Sequence, residues 1–189
     1  MSNPLLERVL PAKAADRSQI FDYKGKVEDF DRLVGILEAD LGTLEEADRP
    51  REWRAAPIEI RLDFAWANAG RGIPAVTGRV EARLAVVCQR CLAAFDLPVE
   101  TSFSLLFQGP DEDATDLAGL AEFDIWELEA ETVRPVDLVE ELLIMAMPLA
   151  PMHEAQESCG ILPIVEEDNG SETVRPFADL RSQMEKMNS

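Results

Sequence analysis

The sequence predicts an α+β protein: an antiparallel β-sheet, open or curled towards a barrel, with flanking helices at 29–41, 137–147 and 177–187. Three observations predict it. Residues 58–107 hold three successive runs of apolar–polar alternation joined by short turns, the pattern of strands with one buried and one wet face. The segments at 29–41 and 137–147 carry apolar residues at helical spacing. Apolar residues make up 47% of the 189, enough for one packed core and too many for general disorder.

Residues 1–18 show no period and are expected as an irregular arm. From Gln19 to Val27 a weak alternation places Phe21, Tyr23 and Val27 on one face of a strand. From Asp29 to Leu41, Phe30, Leu33, Val34, Leu37 and Leu41 form one helical stripe, and Gly42 is the stop. A charged connection, 43–55, leads into the sheet.

In the first long strand Ile58, Ile60, Leu62, Phe64 and Trp66 alternate with Glu59, Arg61, Asp63 and Ala65. A Gly- and Pro-bearing turn follows at 68–74. The second strand puts Val76, Gly78, Val80, Ala82, Leu84 and Val86 on one face and Arg79, Glu81 and Arg83 on the other. After the turn from Cys88 to Cys91, Phe95, Leu97, Val99, Thr101, Phe103, Leu105 and Phe107 share a face. Short connections between three strands predict an antiparallel meander. Residues 108–121 read as an acidic loop and 123–128 as a short strand. Asp137 can cap the next helix, with Glu140 at the capping-box position. That helix has almost no polar face, so burial is expected, and Pro148 ends it. A second acidic loop at 163–174 precedes the last helix, for which Pro176 suits the first turn. All of this is expected within a single domain.

Composition narrows the function. No apolar run reaches the roughly 18–20 residues of a membrane span, and the longest, Leu142 to Met152, is broken by Pro148 and Pro151. Met1 to Pro11 has neither a cationic start nor an apolar stretch of the secretory kind. The expected location is the cytoplasm. The formal charge is −19. Residues 1–100 contribute −3 of it and residues 101–189 contribute −16. Such a chain is a poor nonspecific binder of phosphate. Residues 49–90 are the exception, at +4 with eight arginines. They form either cross-strand ion pairs or a local nucleic-acid contact, for which Arg61, Arg79, Arg83 and Arg90 are the candidates.

Chemistry concentrates at Cys88-Gln89-Arg90-Cys91. Two cysteines three apart at a tight turn present both sulfurs to one side, in reach of one tetrahedral ion. Downstream stand the single histidine, His153, and the third cysteine, Cys159. Cys88, Cys91, His153 and Cys159 are therefore the candidate ligands of a Cys3His zinc site. Two other readings stay open: a buried apolar Cys88 without a metal, and a redox pair, which lacks the usual βαβ context. No Walker loop or dinucleotide fingerprint occurs, Gly70-Arg71-Gly72 reads as a hairpin turn, and no carboxylate stands out beside His153. Neither an enzymatic activity nor a small-molecule substrate is expected.

Several segments carry a resemblance. They are Leu10-Pro11, Phe21-Asp22-Tyr23-Lys24-Gly25, Val87-Cys88-Gln89-Arg90-Cys91-Leu92, the stretch from Val136 to Leu143 and on through Met147-Pro148-Leu149-Ala150-Pro151-Met152-His153, Cys159, and Arg175-Pro176-Phe177-Ala178-Asp179-Leu180. In this order they resemble the YceD family, the large ribosomal RNA subunit accumulation proteins. Arg175 departs from the Asn often found there, and Met147 from the usual Leu; neither is a candidate ligand. The resemblance implies a non-enzymatic role in processing or accumulation of large-subunit ribosomal RNA. It strengthens the zinc expectation, since all four candidate ligands lie inside the matching segments. The implied partner is ribosomal RNA or a basic ribosome-assembly protein. In the second case the chain is a zinc-stabilised acidic adaptor that never meets RNA.

Overall fold

The computed structural model describes residues 3–67, 72–109, 122–155 and 159. The expected helix at 177–187, the acidic loop at 163–174 and most of that at 108–121 lie outside these residues. The three alternating runs form β2 (Pro57–Trp66), β3 (Pro74–Val87) and β4 (Ala94–Gln108). With β1 (Ile20–Lys26) and β5 (Asp124–Glu127) they make one five-stranded sheet in the order β1-β2-β3-β4-β5. The sheet is open, with β1 and β5 at its edges, and does not close into a barrel.

Register follows from the alternation. Ile58, Ile60, Leu62 and Phe64 lie opposite Ala82, Val80, Gly78 and Val76, so the apolar residues of neighbouring strands fall in rows on one face. Slipping one residue would turn every row to solvent. Gly78 sits in such a row opposite Phe103. A Cβ there would run into the Phe103 ring and Leu62, so the missing side chain makes room for the aromatic. Phe64 stacks on Phe107, ring centres 5.9 Å apart, and meets Phe21 edge-on at 5.8 Å.

The first four strands run antiparallel to their neighbours, as the short connections require. The fifth does not. Leu105 pairs with Asp124 and Gln108 with Glu127 in a parallel ladder. Four residues carry too little pattern to fix a direction.

Helices cover the apolar face. The expected irregular arm at 1–18 contains α1 (Pro11–Asp16), which packs on β2 with Ala14 and Ala15 buried. Pro11 sits in its first turn, where no donor is lost, but six residues are too few for a helical period to show. Before it, Val9 forms an isolated bridge with Val133. One 3-10 turn, Val27–Asp29, precedes α2 (Asp31–Leu41), which buries Leu33, Leu37 and Leu41.

The α3 helix (Pro135–Ala146) begins two residues before the expected 137–147, with Arg134 at the N-cap and Pro135 in the first turn. Asp137 therefore does not cap it; its carboxylate takes two hydrogen bonds from Arg134, at 2.8 and 2.6 Å. Glu140 does not close a capping box either. It is buried, and its Oε1 accepts from the backbone N–H of Arg32 at 2.6 Å and of Leu33 at 3.1 Å. A carboxylate on α3 thus caps α2, whose own N-cap, Phe30, offers no side-chain acceptor. Burial of α3 is incomplete: Leu138, Val139 and Leu143 are enclosed, while Met145 in its last turn is 72% exposed.

Candidate metal centre

The inward alternation of β3 runs on past its end, so Cys88 follows Val86 into the interior and is fully buried. The end of the strand is held from α2, where the Asp40 carboxylate accepts from the Val87 N–H at 2.7 Å. The chain then closes a tight knuckle. Leu92 N–H donates to the Cys88 carbonyl at 2.9 Å, and Cys88 N–H donates to the Ala93 carbonyl at 2.9 Å. Closing it needs Leu92 at φ +58°, a left-handed conformation that costs a non-glycine residue about 1 kcal/mol or more. The strained turn brings Cys91 back beside Cys88.

Facing the knuckle is the strap that leaves α3. Met147 is extended, and Pro148 prevents another helical turn. Gln89 N–H donates to the Pro151 carbonyl at 2.8 Å, pinning strap to knuckle. The His153 ring lies on Phe95, with centres 4.5 Å apart.

These two segments bring all four sequence-predicted ligands together. Cys88 Sγ is 3.9 Å from Cys159 Sγ, and His153 Nδ1 is 3.7 Å from Cys91 Sγ and 3.5 Å from Cys159 Sγ. All four donor atoms lie within 4.8 Å of one another. Sulfur at about 2.3 Å and nitrogen at about 2.0–2.1 Å from a tetrahedral ion sit roughly 3.5–3.8 Å apart. The three separations of 3.9, 3.7 and 3.5 Å match that spacing for one ion at the centre. No cysteine pair is bonded.

The electrostatics are also those of a cation site. Burial pushes the Cys88 thiol up. The N–H groups of Cys91, His153 and Arg90 directed at its sulfur, with the His153 side chain, outweigh this and hold it at about 5. Burial raises Cys159, and hydrogen bonding to Cys91 and Cys88 together with their charge raises it further. Sulfurs this close resist carrying charge together unless a cation lies between them. Arg90 Nη1 also approaches the Cys159 sulfur, at 3.7 Å. Three thiolates, a neutral imidazole and a divalent ion would total −1, which this guanidinium offsets.

A knuckle anchored by the buried Cys88 and a facing strap that together supply three thiols and an imidazole define a closed, four-ligand candidate structural metal centre in an α+β protein. The description "Large ribosomal RNA subunit accumulation protein YceD" matches residues 76–187, a span that contains all four donors. The chain belongs to this family. Leu10-Pro11 and Phe21 to Gly25 lie outside the matched span. No curated protein and no solved structure matches the chain.

Of the four candidate arginines, Arg61, Arg79 and Arg83 occupy exposed positions on neighbouring strands β2 and β3, and Arg90 lies apart from them beside Cys159. Arg61 and Arg79 lie on the wet face of the sheet, cross-strand from each other. Arg61 pairs with Asp63 at 3.0 Å and Asp22 at 3.6 Å, and Arg79 with Glu81 at 2.8 Å and Glu100 at 2.6 Å. Arg83 is exposed, with no ion-pair partner among the described residues. Arg90 belongs to the metal centre. Sequence reasoning missed the supports of that centre, Asp40, Gln89 and Phe95. Only Phe95 left a signal, its inward place in the alternation of β4. No described helix is long and apolar enough to cross a membrane.

Proposed function

We propose that this protein is a non-enzymatic factor in the processing or accumulation of large-subunit ribosomal RNA, acting by holding a basic ribosome-assembly protein. One zinc ion bound by Cys88, Cys91, His153 and Cys159 ties the sheet to the chain beyond α3. Four protein ligands leave no open coordination position, which suits a structural ion. Family membership supports the connection with ribosomal RNA.

The observation that favours a protein partner over RNA is the pairing of the sheet arginines. Arg61 and Arg79, which composition offered as a phosphate contact, each meet two carboxylates. A chain of net charge −19 with Arg61 and Arg79 neutralised repels phosphate and steers cations.

Two measurements test this. In cells lacking the protein, large-subunit RNA should fall relative to small-subunit RNA, and return with the wild-type chain. The purified protein should show no binding to large-subunit RNA at about 50 mM salt, a condition that favours phosphate contacts. An unchanged RNA ratio would refute the role. Salt-sensitive RNA binding lost in Arg83→Glu would place the contact on RNA instead of a protein.

A further inference from the structure

The strap pinned by the metal centre also forms one wall of a groove. Between α2 and the strap lies a cavity of about 160 Å³, lined chiefly by Ile36, Leu37, Val86, Leu97, Met147 and Leu149. Its rim is apolar and open: Ile36 is 42% exposed and Leu149 fully so. Leu149 is not on a loose end. Gln89 holds the strap at Pro151, His153 anchors it beyond, and Pro148 stiffens its start. The opposite wall is equally fixed, since Glu140 holds the start of α2 and Asp40 ties its end to β3. Clustered apolar exposure on a rigid frame marks a binding surface more than a scattered exposed residue does.

Size and charge narrow the occupant. Small-molecule sites usually run to about 300–1,000 Å³, whereas an engineered apolar cavity of roughly 150 Å³ takes up benzene. The groove therefore suits one leucine-sized or aromatic side chain. A second copy of the chain would bring −19 against −19. A cationic partner is drawn in by the same field, and Asp40 adds a carboxylate to the lining.

We infer that this groove receives a single leucine or aromatic anchor from a lysine- and arginine-rich protein segment, and that the metal centre keeps the groove in shape by fixing the strap. The inference rests on the proposed action through a basic protein, and names its docking surface.

The test uses full-length protein carrying a photoreactive benzoylphenylalanine in place of Leu149, irradiated in living cells. The expected adduct is a protein segment rich in Lys and Arg, joined through or beside an apolar residue. A synthetic peptide of that segment should bind the wild-type chain and weaken as salt rises. Its binding should fall tenfold or more with Ile36→Asp, with Leu149→Asp, and after metal is removed by a chelator. Leu149 is fully exposed, so the second variant keeps the test alive if the first misfolds. Adducts to the chain's own residues 160–189, to a second copy or to RNA, or no adduct, would overturn the inference, as would peptide binding indifferent to both variants. If large-subunit RNA falls on deletion but the groove captures no basic segment, the functional reading stands and the groove does not. If the groove captures one and the RNA is unaffected, the reverse holds.

Discussion

Replacing Glu140 should cost far more than its place in a capping pattern suggests. Its Oε1 accepts from two first-turn N–H groups of α2, at 2.6 and 3.1 Å, in a position only 6% exposed. Hydrogen bonds to a charged group contribute about 1.5–3 kcal/mol each, and an orphaned buried donor costs about 1–3. Allowing for water reaching one of the two donors, Glu140→Ala should destabilise by about 3–4 kcal/mol. Glu140→Gln keeps an acceptor of nearly the same reach and loses the charge, so about 1–2 kcal/mol is expected. With a urea m-value of about 2–3 kcal/mol/M, the midpoint should fall by roughly 1–2 M for Ala and about 0.5 M for Gln. Equilibrium urea unfolding followed by tryptophan fluorescence reads both. A shift below about 0.3 M for Ala, or equal shifts for the two variants, would refute the cross-helix cap.

Two further substitutions bear on the sheet. Arg79→Ala removes two exposed ion pairs, so unfolding should move by no more than about 1 kcal/mol; a larger loss would mean the ladder is structural in a way its exposure does not suggest. Gly78→Ala drives a Cβ into the Phe103 ring and Leu62, an overpacking worth about 1–3 kcal/mol, and Phe103→Leu in the same chain should recover part of it in the same urea assay.

The sheet was legible because it has one wet face. With Glu59, Arg61 and Asp63 outside and Ile58, Ile60, Leu62 and Phe64 inside, period-two alternation survives in the sequence and sets both strand and register. The metal ligands were legible because the chain has one histidine and three cysteines, so few donor sets exist. What stayed hidden depends on distant partners. Asp137 and Glu140 form a plausible local capping pattern, but Pro135 starts the helix earlier and Glu140 turns to a helix more than a hundred residues away. The Gln89–Pro151 bond joins backbone atoms, which no side-chain pattern reports. The α1 helix is shorter than the period needed to reveal it, and β5, expected as a strand at 123–128, is too short to announce its parallel direction.

Metal content and ligand geometry of untagged, full-length protein test the candidate centre most directly. Elemental analysis should find one zinc per chain. X-ray absorption should find three sulfurs at about 2.3 Å and one nitrogen at about 2.0–2.1 Å. Protein that emerges metal-free after growth in zinc-replete medium, and melts at the same temperature with and without a chelator, would contradict the assignment.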